Sequence, residues 1–178
     1  MKLGNKNIIM IYNLTSDSTY DDFSSRYGQK VYLRCPLLSR FSIQVLSKDE
    51  YLRAKDVPTI SDIDKQPMSC FISKQEAEIN STIAGIVVNS KLLVELSFSK
   101  FEKMAAFAHE LGHLAFFFLN SKSQMDSLAE ELYADTYPRD LGLQKHLSSI
   151  LKKLIESNWY DKTLTELIKY RYNLLNNN

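Results

Sequence analysis

The longest apolar stretch in the chain runs from Met104 to Leu119 and is broken only by a short polar cluster at 109–113. A segment apolar on every side, at this length, reads as a helix buried in a core. Ser99 and Glu102 stand three apart at its start, the spacing of a capping box, so the helix is predicted to begin there. Upstream, short β-branched or apolar runs at 8–12, 31–35, 41–46, 68–72 and 82–88 read as strands. Tyr20, Phe23 and Tyr27 mark a helix over 17–27, and Ser47 with Glu50 is a second capping box opening a short helix that ends before Pro58. The Asp-, Ser- and Pro-containing stretch 58–67 is a loop, and 89–96 a short connecting helix or turn. Beyond the apolar helix, 121–126 is a polar connection and 127–137 a helix that Pro138 should end or kink. An amphipathic helix follows over 144–156, then a last helix over 163–175 opened by a Thr163/Glu166 box. Packing rather than chemistry is expected of this C-terminal part. Trp159 and Tyr160 read as aromatics of a helix junction, with an aromatic substrate subsite as the alternative.

Strands therefore come first and helices second. At 178 residues the chain suits a single α+β domain over 1–178, with a sheet-rich part at 1–98 and a helical part at 99–178.

Hydrophobic content of 44% and charged content of 24% exclude a largely disordered chain. With a net charge of +1 and scattered Lys and Arg, no phosphate-tracking surface is expected, and nucleic acid is not an expected partner. The apolar run at 8–12 is too short for a signal-peptide core and no small-residue cleavage site follows, so a cytoplasmic protein is expected. No apolar stretch approaches the ~20 residues that span a bilayer, so no membrane partner is expected either. Cys35 and Cys70 are in no ligand or Cys-x-x-Cys spacing and read as free thiols.

The polar cluster changes the picture. It reads His109-Glu110-Leu111-Gly112-His113, a full H-E-x-x-H. Residues four apart on a helix lie about 40° apart around the axis and roughly 6 Å along it, so the two imidazoles project together and can grip one ion. Glu110 is turned about 100° away, poorly placed as a ligand but able to reach a water on the metal, which makes it a candidate general base. Zinc lowers the pKa of its bound water towards about 7.

Two of the chain's three histidines fall in this pattern; the bland reading of each alone is a satisfied core histidine. A catalytic zinc site needs a third protein ligand and an open position. Glu131 is the preferred candidate because Asp135, one turn on, shares its face and could hold the other ring nitrogen of a ligating His. Glu130 is the neighbouring alternative, without an acid four residues on. A solvated acidic face is the bland reading of all three. The longer metzincin pattern is excluded, since Phe116 and Leu119 stand where it needs Gly and His. For oxyanion stabilisation Tyr133, Tyr137, Arg139 and His146 are the nearby candidates, His146 more simply a surface residue.

His109-Glu110-Leu111-Gly112-His113 followed by Glu131-x-x-Ala134-Asp135-x-Tyr137 resembles the gluzincin pattern of zinc metallopeptidases. With the preceding stretch Ala84 to Asn89 and the capped helix, the region from Ala84 to Gly142 is most similar to the ImmA/IrrE family. That resemblance implies a zincin-like fold: a small N-terminal mixed sheet, then an active-site helix, a glutamate helix and C-terminal helices. It also implies a metalloprotease with Zn²⁺ held by His109, His113 and Glu131, Glu110 as catalytic carboxylate, and a peptide or protein substrate. The rival reading is a non-catalytic, metal-stabilised binding or sensor protein on the same scaffold. Thr82–Val88, taken as an edge strand, could bind an extended peptide by strand addition.

Overall fold

The computed structural model describes residues 8–54, 60, 63–74, 82–120 and 127–177. The chain is α+β. Four strands, β1 (Met10–Asn13), β2 (Ser42–Ser47), β3 (Met68–Lys74) and β4 (Thr82–Val88), form one mixed sheet in the order β1-β2-β4-β3. β1, β2 and β4 run parallel, with Ile43 opposite both Ile11 and Ala84; β3 is antiparallel to β4, with Cys70 opposite Ile86. β4 is thus an inner strand, contrary to the expected edge, and β3 closes that side of the sheet. The reason lies in its sequence: Ala84, Ile86, Val87 and Val88 are all buried, and a near-continuous apolar run belongs where both faces are covered.

The helices are α1 (Thr19–Arg34), α2 (Lys48–Arg53), α3 (Ser90–Glu95), α4 (Lys100–Leu119), α5 (Ser127–Asp140), α6 (Gln144–Ser157) and α7 (Lys162–Asn176). α1 absorbs the strand expected at 31–35. Val31 continues the three-and-four spacing of Tyr20, Phe23 and Tyr27, so its buried side chain extends a helical face. Cys35 follows the helix and Pro36–Arg40 form a 3₁₀ turn. The capping boxes Ser47/Glu50 and Ser99/Glu102 both form. The Thr163/Glu166 box does not: Asp161 caps α7 by accepting a hydrogen bond from the Leu164 amide at 2.9 Å. The connection at 121–126, and residues 58, 59, 61 and 62 of the loop at 58–67, lie outside the described residues.

One face of the sheet packs on α1 and α4 through the main core, where Tyr20, Phe23, Phe107, Leu111 and Ile86 are buried. Phe107 meets Tyr20 and Phe23 with ring centroids 5.2 and 4.9 Å apart. A smaller cluster of Leu46, Tyr51, Phe71 and Val87 covers the other face beneath α2. Among the described residues no helix is long and apolar enough to cross a membrane, and both cysteines are free thiols.

α5 continues past Pro138 to Asp140. Proline removes one bond to the Ala134 carbonyl, but the Leu141 amide still donates to Tyr137, and the helix ends one turn later. There Gly142, at φ 78°, lets its amide reach the Arg139 carbonyl and that of Leu143 reach Pro138, which closes the C-terminus.

Candidate metal centre

The site is built where α4 and α5 cross. Their approach depends on Gly112 of the motif: a Cβ there would lie 2.6 Å from the Ala134 Cα and 2.9 Å from its carbonyl oxygen. Only glycine lets the α5 backbone come so near, and Ala134 is the small partner on the other side. The acids of α5, three residues before and one after Ala134, are thereby carried to the imidazoles.

His109 Nε2 and His113 Nε2 stand 3.0 Å apart, with their rings at 89°. Glu131 Oε2 is 3.4 Å from His109 Nε2, and Oε1 is 3.6 Å from His113 Nε2. Zinc–nitrogen bonds of ~2.0–2.1 Å in a tetrahedron would put two nitrogens about 3.3 Å apart, and the observed separations bracket that value. His109, His113 and Glu131 are the group among the described residues whose donor atoms converge closely enough to share one ion.

Each imidazole has its own carboxylate behind it. Asp135 Oδ1 is 2.9 Å from His109 Nδ1, and Glu130 Oε1 is 2.9 Å from His113 Nδ1. The Asp135 contact is close but not straight, since His109 Nδ1 makes no hydrogen bond of good geometry. With Nδ1–H turned to these acids, both Nε2 atoms present lone pairs to the same point as the Glu131 oxygens. Glu131 Oε2 makes no hydrogen bond of good geometry, although a guanidinium nitrogen of Arg171 lies 2.5 Å from it. Acceptors converging on one point call for a cation there, and imidazole nitrogens with a carboxylate are a zinc-type donor set. Sequence reasoning placed Asp135 here and left Glu130 as a rival ligand; Glu130 instead orients His113.

Burial alone would lower His109, but Asp135 and Glu131 outweigh it and its pKa is pushed up to about 10. Glu131 moves the opposite way: burial would raise it, yet His109, Arg171 and His113 hold it well below the ordinary carboxylate range.

Arg171 of α7 is a site residue that sequence reasoning missed. It is buried, donates from Nε to Asp135 Oδ2 at 2.8 Å and from Nη2 to Asp135 Oδ1 at 2.6 Å, and its Nη1 lies 2.5 Å from Glu131 Oε2. No spacing within α7 announces this contact. The only available signal was an arginine in an otherwise amphipathic helix.

The cage opens into a cleft of about 350 Å³. Glu110 lines it, as do Met68, Ser69 and Cys70 of β3. Desolvation, with the charges of Glu110 and Glu130, pushes the Cys70 thiol well above its ordinary pKa. Away from the polar end, the wall is apolar, with Leu151, Leu154, Leu164 and Ile168 from α6 and α7 and Tyr160 between them. Tyr160 also donates to the Lys65 carbonyl at 2.8 Å.

None of the four residues considered for oxyanion stabilisation lines this cleft. Tyr137 is buried beneath the Arg34 guanidinium, 4.3 Å from its ring, and Tyr133 packs between Phe116 and Tyr137. Arg139 is exposed beside Asp140, and His146 stacks on Phe101 with centroids 5.2 Å apart.

Searches against models of protein families, curated proteins and solved structures found no match to this chain.

Proposed function

We propose that this protein is a zinc-dependent peptidase of gluzincin type on a zincin-like fold, most like the ImmA/IrrE family. The observation that carries the reading is the meeting of His109, His113 and Glu131 at one point, with Glu110 on the wall of the same cleft. These three residues would hold the ion. When bound, zinc supplies Lewis acidity, polarising a carbonyl and making a water more acidic. Glu110 accepts the proton of the attacking water and passes it to the leaving amine. An extended peptide fits along β3, which borders the cleft and ends the sheet. Its apolar side chains would meet the wall built by α6 and α7.

Two variants test the reading. Glu110→Gln should retain one zinc per chain while hydrolysis of a peptide library falls by about 10²–10⁴, the usual share of a general base. His113→Ala should lose the zinc as well. Undiminished hydrolysis by Glu110→Gln would defeat the mechanism, whereas a wild-type protein that binds zinc and cleaves nothing would favour the binding or sensor reading.

A further inference from the structure

We infer that Arg171 is a positioning residue through which docking of the C-terminal helix α7 and metal binding reinforce each other; this rests on the zinc centre proposed above. One guanidinium serves two carboxylates of α5, Asp135 by a two-pronged pair and Glu131 by its remaining Nη1. Those carboxylates face opposite nitrogens of the same ring, Asp135 at Nδ1 and Glu131 at Nε2 of His109. A single side chain of α7 thus sets both sides of one imidazole ligand. Without it, buried Asp135 and partly buried Glu131, one turn apart, would repel each other and turn away from the ring.

The dependence runs the other way too. Ile168 and Arg171 are the fully buried residues of α7, with Leu175 packed at the edge of the core, so the ion pairs of Arg171 are a large part of what fixes the helix against α5. A buried guanidinium is retained only when its partners stay in place. Metal bound by Glu131 and His109 fixes those partners, and two binding events that order the same groups strengthen each other by equal factors.

The experiment measures zinc affinity by competition with a chromophoric chelator, and hydrogen exchange of the amides of 162–176 with and without zinc. Arg171→Met and Arg171→Lys should bind zinc about 10–100-fold more weakly, the usual effect of losing a group that orients a ligand. Lys should recover part of the loss through its charge but not its two-pronged geometry. In the wild type, zinc should slow exchange across α7, and in the Met variant this slowing should shrink. Unchanged zinc affinity in either folded variant would overturn the inference, because a residue that only stabilises the fold would leave it unmoved. Exchange in wild-type α7 that ignores zinc would also overturn it, with no variant needed. Failure of the wild type to take up zinc would remove the metal centre itself and the inference with it.

Discussion

The motif helix α4 brings three groups to the cleft from within one turn and a half of chain, whereas α7 brings a single guanidinium from the far end of the molecule. On α4 the arrangement is local: the four-residue spacing puts two imidazoles side by side wherever that helix forms. On α7 it depends entirely on tertiary docking, since nothing in the spacing of Arg171 points it at Asp135 and Glu131. The two routes should therefore fail differently. Damage to α4 removes the imidazoles themselves, and damage to α7 leaves the imidazoles and Glu131 present but misplaced.

Gly112 lies on the boundary between these routes and gives the largest expected effect. It belongs to the motif by position, yet its work is to let α5 approach. Gly112→Val, adding bulk where even a Cβ would be 2.6 Å from backbone, must push α5 away and carry Glu131 and Asp135 with it. Zinc affinity should fall by more than the 10–100-fold expected for a misplaced orienting group, and stability by about 1–3 kcal/mol from overpacking. A competition titration and a denaturant melt check both. Zinc affinity equal to wild type would show that the cage does not depend on this contact.

How much of this was readable from the chain follows the same division. The capping boxes at Ser47 and Ser99, the strand Thr82–Val88 and the facing imidazoles of His109 and His113 were legible because each is encoded within a few residues. Glu131 and Asp135 were legible because they share one helix face. The misreadings came where neighbours in space decide. Val31 looked like a strand residue in a short window but faces the core from a helix, and β4 lost its edge because β3 pairs antiparallel with it. Tyr137, close to Glu131 in sequence, points into the core, while Tyr160 and Arg171, remote in sequence, face the cleft.

A second way to sharpen the comparison uses pH. Burial opposes the charged form of His109, but Asp135 and Glu131 favour it and push the pKa up to about 10. A zinc ligand must be neutral, so uptake has to expel that proton. The sign follows: apparent zinc affinity should rise with pH, by about tenfold per unit at most, and level off above about 10. Calorimetry in buffers of different ionisation enthalpy should find about one proton released per zinc from this group. In Asp135→Asn the ring loses its charged partner, and the dependence should level off at a lower pH. A profile flat between neutral pH and 10 would mean that the carboxylates do not hold the imidazole as described.

The smallest expected effect concerns Glu102, which begins as a local cap and ends as a tertiary contact. Its carboxylate accepts from the Ser99 amide at 2.6 Å, as the capping box requires, and also from Ser149 at 2.7 Å and Lys153 at 2.9 Å on α6. Burial acts to raise its pKa, but these donors outweigh it and bring it down to about 2. A carboxylate lowered on folding stabilises the fold above its ordinary pKa of 4.5 and loses that contribution as pH falls through about 2. Ser99→Ala removes only the local half of the arrangement and should cost about 1 kcal/mol in a denaturant melt at neutral pH. Glu102→Gln removes the charge that holds Lys153 as well, so its stability deficit should be larger at pH 7 and should shrink as both proteins are melted at pH values approaching 2. A deficit of the same size across that range would show that Glu102 acts through packing alone, and that the tie between α4 and α6 does not depend on its charge.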